Sequence, residues 1–258
     1  MKKRNQKPEK LRQEEIDAGA SIKYDEYGES YIIIKQTIVR HSRSNFPSKL
    51  NKYWHQRHRL FKYFDRGIWL DEESWYSVTP EPLGRQIATH LSKMHDRNFV
   101  VIDGFCGAGG NAIQFALIDK IAVIAIDDDP IKLICAKHNA RIYNVEHKII
   151  WILADFFNIS KKIKGDIIFL SPPWGGPDYQ NSEVFNIEAM KPYPASLLFH
   201  AANHMVNNSN KIVMYLPRTS SLASITSLIR CPHKVEAHYL KASGKTKAIC
   251  CYFGPLAQ

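Results

Sequence analysis

"VVIDGFCGAGGNAIQFA", Val100 to Ala116, reads as a buried strand, a glycine-rich turn and the first turns of a helix. Glycines at 104, 107, 109 and 110 let the backbone bend sharply and let a ligand approach both the main chain and the helix N-terminus. Asp103 ends the strand, and Asp127 ends the next apolar run 24 positions later, where a carboxylate can accept hydrogen bonds from ribose hydroxyls. This arrangement serves dinucleotides and S-adenosylmethionine alike. The strand-terminal carboxylate favours S-adenosylmethionine, because it suits a cationic methionine end and sits badly beside a pyrophosphate.

Around this unit the pattern repeats. FVVID (99–103), IAVIAID (121–127), KIIWILAD (148–155), DIIFLS (166–171) and KIVMYLP (211–217) are near-continuous apolar runs, as in strands buried on both faces of a parallel sheet. Helical stretches alternate with them. One opens at Asp129, an N-cap followed by Pro130 in the first helical position. VEAHYL and KAICCYF flank KASGK, which predicts an antiparallel pair closing one edge. The fold class is therefore α/β, a mostly parallel sheet with an antiparallel C-terminal edge.

Upstream, residues 1–20 are polar and are expected to be a disordered basic tail. Residues 21–80 read as a small N-terminal extension, largely helical, with Ser48 as a candidate N-cap for the stretch Lys49 to Asp65. Residues 81–258 form the main domain, its first helix capped by Thr79.

Totals narrow the function classes. A 258-residue chain with 45% hydrophobic and 23% charged residues has the balance of a globular domain, and no apolar run reaches the ~18 residues of a membrane span. The N-terminus lacks the apolar stretch of a secretory signal, so an intracellular protein is expected. Five cysteines without a CxxC pair resemble neither a disulfide framework nor a zinc site, and no metal is expected. The net charge of +10 is concentrated in the first 66 residues, where aromatics interleave with lysines and arginines. That composition fits a nucleic-acid partner.

The fourth strand ends in Ser171-Pro172-Pro173-Trp174. This has the form of the motif in methyltransferases that act on amino nitrogens conjugated with a ring. Such a nitrogen is a poor nucleophile. Ser171 and the Pro172 carbonyl can accept its two N–H hydrogens while the Trp174 ring stacks on the base, and the prolines hold these acceptors rigid.

Together DGFCGAGGNAIQFA, AIDDDPIKL, LSPPWGGPDY, YLPR and KYWHQRHRLFKYFDRGIWLDEESWYSVTPE resemble the trimethylguanosine synthase family, which adds two methyl groups to N2 of a 7-methylguanosine RNA cap. The resemblance runs from about Lys49 to Phe253. It implies a class I (Rossmann-like) methyltransferase fold with an N-terminal extension completing both sites, and S-adenosyl-L-methionine as cofactor. Transferred position by position, it implies cofactor contacts at Phe61, Thr79, Asp103, Gly107, Asn111, Asp127, Asp155, Ser171 and Pro173. Trp174 is implied as the cap-stacking ring. Lys52, Tyr179, Arg218 and either Lys245 or Lys247 are implied as triphosphate contacts. It further implies m7G-capped RNA of the small nuclear or nucleolar type as substrate, ribonucleoprotein partners, a nuclear location and a monomer. Two other readings stay open on the residues alone: an exocyclic-amine methyltransferase acting on internal RNA or DNA bases, and a cap-binding protein on an inactive fold.

Overall fold

The computed structural model describes residues 10–176, 183–207, 209–229 and 232–257. The N-terminal part runs α1 (Gln13–Asp17), β1 (Ala20–Tyr24), β2 (Ser30–Ile34), β3 (Thr37–Arg40), α2 (Asn51–Trp54), α3 (Arg57–Leu60) and α4 (Ser74–Ser77). The rest runs α5 (Glu81–Lys93), β4 (Phe99–Asp103), α6 (Gly110–Ala116), β5 (Ile121–Asp127), α7 (Pro130–Ile142), β6 (Ile149–Leu153), α8 (Phe156–Ile159), β7 (Ile167–Leu170), α9 (Ala195–Met205), β8 (Ile212–Pro217), α10 (Leu222–Thr226), β9 (Val235–Ala242) and β10 (Lys245–Phe253).

The large sheet has the order β6-β5-β4-β7-β8-β10-β9. Its first five strands pair in parallel, and β10 runs antiparallel to both β8 and β9. The hairpin joining β9 and β10 turns through Ser243 and Gly244 at φ 52° and 74°. Two consecutive positive φ values match the right-handed twist of the strands they connect. In the parallel part the chain leaves β4 toward β5 on one side and later returns beside it as β7. A crevice opens at the carboxyl ends of strands where the winding reverses in this way.

Three sequence expectations are corrected upstream of the sheet. The expected disordered tail is structured over its described residues: α1 docks on α7, with Glu15 buried against His138 and Arg141 at 2.9 Å each. The extension is not largely helical, because β1, β2 and β3 form a three-stranded antiparallel sheet, with Ile32, Ile34 and Val39 buried. Lys35, at φ 54°, makes the tight turn between β2 and β3. Ser48 and Thr79 cap no helix: Pro47 and Pro80 hold those positions, and the Thr79 hydroxyl instead accepts from Asn111 Nδ2 at 2.9 Å. Asp129 caps α7 as expected, accepting from the Ile131 and Lys132 amides.

The extension does not have a separate core. Ile32, Val39, Phe61, Trp69 and Trp75 pack into the same apolar cluster as α5, α6 and α7 on one face of the sheet. A second cluster, built on α9, covers the other face. One buried side chain joins the extension to the glycine loop. Asn139 Nδ2 donates to the Trp69 and Ala108 carbonyls at 2.9 and 3.0 Å, and its Oδ1 accepts from the Trp69 amide at 2.8 Å. Both N–H donors and one of the two oxygen lone pairs of this amide are used.

Candidate active site

At the carboxyl edge of the sheet lies a cavity of about 170 Å³, bordered by the glycine loop, the end of β5, the segment after β7 and the extension. The loop leaves β4 with the Cys106 amide donating to the Ile126 carbonyl at 2.9 Å. Gly107 at φ 51° and Gly109 at φ 87° adopt the left-handed conformation that glycine reaches without cost. A Cβ on Gly107 would meet no atom within 4 Å, so the backbone there is open to a ligand; a Cβ on Gly110 would strike Val78 at 2.7 Å.

Asp127 borders the cavity and is held by two amides, Gly107 to Oδ2 at 2.7 Å and Asp129 to Oδ1 at 3.0 Å. Burial pushes its pKa up to about 6, against the lowering effect of those amides. Asp103 is fully buried beneath the loop and does not border the cavity itself. Its oxygens have no hydrogen-bond partner among the described residues; the Phe105 and Ala112 amides approach them without hydrogen-bonding geometry. Burial pushes this carboxyl up to about 8, and the nearby Asp127 charge adds to the rise. Asn111 Oδ1 is also buried without a partner, and Asn111 borders the cavity. An unsatisfied acceptor on Asn111 at the cavity, with the Asp103 carboxyl buried without a partner among the described residues, calls for a cation or a donor. The ammonium, sulfonium and ribose of S-adenosylmethionine fit that set.

On the opposite wall the Ser171 hydroxyl donates to the Phe105 carbonyl at 3.3 Å. Its proton is thereby committed, and its lone pairs remain available to accept. Pro172 is buried and Pro173 exposed; both border the cavity. Trp174 is fixed from behind. Its indole N–H donates to the Tyr215 carbonyl at 3.2 Å, and its ring stacks on that of Tyr215 with centroids 5.3 Å apart at 30°. Gly175 and Gly176 follow at φ 89° and 82°, two left-handed residues in succession, with nothing within 4 Å of either Cβ position. Two left-handed residues in succession let the chain turn away there, at a backbone cost that glycine alone escapes.

The extension supplies the remaining wall through Tyr53, Glu73, Tyr76, Ser77 and Thr79. Lys132, at the cavity edge on α7, bonds Asp71 at 3.0 Å and Glu73 at 2.8 Å. Those carboxylates keep its pKa up although burial alone would lower it.

Of the residues singled out in the sequence, Thr79, Gly107, Asn111, Asp127, Ser171, Pro172, Pro173 and Trp174 converge on the cavity. Phe61 does not border it, being 1% exposed with its ring 6.2 Å from that of Tyr143 in the core. Asp155 does not either; it caps α8, accepting from the Asn158 amide at 2.9 Å. Lys52 stands exposed beside the cavity, its ammonium 4.8 Å from the Tyr53 ring centre. Arg218 is exposed just beyond β8. Ala248 pairs with Pro217, the residue before Arg218; Lys247 precedes Ala248 at a register irregularity of β10, and Lys245 stands two positions before Lys247. Tyr179 lies outside the described residues. The sequence reading missed Tyr215 and Lys132: one looks like an ordinary residue of a buried strand, the other like a helix-surface lysine.

The chain matches the model of the RNA cap guanine-N2 methyltransferase family over residues 98–256. It is 38% identical over 213 residues to a trimethylguanosine synthase of Schizosaccharomyces pombe, covering 80% of this chain and 87% of that protein. A trimethylguanosine synthase of Saccharomyces cerevisiae is 34% identical over 218 residues, covering 80% of this chain and 68% of that protein. The fold is also that of a SAM-dependent methyltransferase structure from Agrobacterium tumefaciens, at a TM-score of 0.53 and 16% identity, over 69% of this chain and 63% of that one. With the glycine loop, Asn111, Asp127 and the Ser-Pro-Pro-Trp wall meeting at one cavity, the chain belongs to the RNA cap guanine-N2 methyltransferase family and is an S-adenosylmethionine-dependent methyltransferase.

Proposed function

We propose that the enzyme recognises a guanosine cap already methylated at N7, holds its base on Trp174 and methylates N2 in two successive transfers, giving dimethyl- and then trimethylguanosine caps. The observation that carries this reading is the orientation of Ser171. Its hydroxyl proton goes to the Phe105 carbonyl, and its lone pairs stay free on the same cavity wall as Trp174.

When bound, S-adenosylmethionine supplies a methyl group activated by a positive sulfur. The chain's own residues prepare the nucleophile. Ser171 Oγ and the Pro172 carbonyl accept the N–H hydrogens of the amino group, two before the first transfer and one before the second, drawing its delocalised lone pair toward tetrahedral geometry. Both acceptors are held in place before the substrate arrives, so little reorganisation is left for the reaction itself. No side chain need act as a base before transfer, since the nitrogen sheds its proton once it has become cationic.

Trp174 supplies selectivity. A 7-methylguanine ring is cationic, and a tryptophan face gains stacking plus cation–π attraction, about 1 to 2 kcal/mol when desolvated. Unmethylated guanine forgoes the second contribution. Lys52, Arg218 and Lys247 are proposed to take the triphosphate, the arginine as a fork and the lysines as point charges; Tyr179 and Lys245 are further candidates. Asp127 is proposed to accept from the ribose of the cofactor, and Asp103 with Asn111 to balance its cationic methionine end. Asp155 is proposed to accept from the adenine amino group, and Phe61 to support the cofactor side from the core. Small nuclear or nucleolar RNAs as substrates, and a nuclear location, follow from the family likeness.

The test offers labelled S-adenosylmethionine with m7GpppA, GpppA or uncapped RNA. Transfer to N2 of m7GpppA alone is expected; transfer to uncapped RNA or to GpppA in preference would favour internal bases or plain guanine instead.

A further inference from the structure

We propose that the RNA chain beyond the cap triphosphate runs along the α2–α3 face of the extension, with Arg59, Lys62 and Arg66 taking its phosphates. The proposal rests on the cap reading above and extends that site outward along the substrate. Between Ser48 and Gly67 six lysines and arginines accompany a single acid, Asp65. Lys49 is occupied by Glu72, and Arg57 and His58 share Asp65 at 3.9 and 3.6 Å. Arg59, Lys62 and Arg66 are exposed and have no carboxylate partner among the described residues. A face kept only for solubility would intersperse both signs.

Two of the three, Lys62 and Arg66, are also seated on a ring, as is the neighbouring Arg57. The Arg57 guanidinium lies 4.7 Å from the Trp54 ring centre; Lys62 and Arg66 lie 5.5 and 4.0 Å from that of Tyr63. Seated charges lose less freedom on meeting a phosphate than free ones. The rings link this face to the cavity: Tyr63 is followed by Phe64, which meets Trp54 at 5.9 Å, and Trp54 follows Tyr53 on the cavity wall, 6.4 Å from Tyr76. Cations interleaved with aromatic rings are what a single-stranded RNA uses, through its phosphates and its base faces.

Electrostatic contacts of this kind carry a salt signature, with log K falling by ~0.7 per log unit of salt for each phosphate neutralised on a single strand. The test measures binding of a fluorescent capped 15-nucleotide RNA and of m7GpppA, by anisotropy and calorimetry over a series of salt concentrations. It compares the wild type with Arg59→Glu/Lys62→Glu/Arg66→Glu and with the milder Arg59→Gln/Lys62→Gln/Arg66→Gln. The wild type is expected to bind the capped RNA about tenfold tighter than the dinucleotide. The variants should lose that advantage, with a salt slope shallower by about 2, while turnover of m7GpppA stays unchanged. Equal affinities for the two ligands, or an unaltered salt slope in both variants, would overturn the proposal and leave the face to some other partner. Charge-dependent RNA binding without any methyl transfer to m7GpppA would support the track and sink the cap reading beneath it.

Discussion

The rings of Trp174 and Tyr215 stack at 5.3 Å and 30°, and the tryptophan's indole N–H is tied to the Tyr215 carbonyl. A ring backed in this way is a rigid plate, and Trp174 borders the cavity. Trp174→Ala is therefore expected to weaken binding of m7GTP by about 1 to 2 kcal/mol or more, while affinity for S-adenosylhomocysteine changes less than about threefold. Tyr215→Leu should weaken cap binding by an intermediate amount, since the plate remains but loses its backing. Calorimetry with each ligand separately checks both; equal losses for cap and cofactor product would contradict the stacking role.

Asp103 is expected to make cofactor affinity depend on pH. Its pKa in the free protein, about 8, lies above the ordinary value of 3.8, so the folded state holds a proton that the unfolded chain releases. Between those values stability falls as pH rises, by roughly 1 kcal/mol per pH unit. A neighbouring ammonium favours the ionised form, so affinity for S-adenosylhomocysteine, which keeps its ammonium though its sulfur is neutral, should increase from pH 6 to 8. Asp103→Asn should abolish that increase, weaken binding, and stabilise the ligand-free protein at pH 8.5. Thermal shift and calorimetry across this range decide it.

The glycine loop offers a contrast between two methyl groups. Gly107→Ala meets open space at a left-handed φ, so its folding cost should be only about 1 to 2 kcal/mol; the methyl would lie where the cofactor approaches and should weaken its binding about tenfold or more. Gly110→Ala collides with Val78 and should destabilise the fold itself. Denaturant unfolding separates the two effects.

Asn139 tests how the extension is held. Asn139→Leu preserves volume but leaves the Trp69 amide and the Trp69 and Ala108 carbonyls without their partner. Buried groups left unpaired cost about 1 to 3 kcal/mol each. A loss of about 3 kcal/mol in urea unfolding is expected.

The sheet and its glycine loop were readable because both depend on local signals: continuous apolar runs for doubly covered strands, and glycines where φ is positive. Ser171 and Trp174 were readable for the same reason, as the prolines and glycines around them mark a fixed turn. Less was legible where a residue's task depends on distant partners. Tyr215 sits in a wholly buried strand, and its stacking on Trp174 comes from sheet order. Lys132 reaches the cavity edge through acids 59 and 61 positions away. The strands Ser30–Ile34 and Thr37–Arg40 carry a β-branched signal of their own, which the basic, polar composition around them obscured.

The most direct measurement is a crystal structure with S-adenosylhomocysteine and m7GTP bound. The methylated base should lie on the Trp174 ring, with its N2 within hydrogen-bonding distance of Ser171 Oγ and the Pro172 carbonyl. A base seated anywhere else, or an N2 turned away from those two acceptors, would contradict the mechanism.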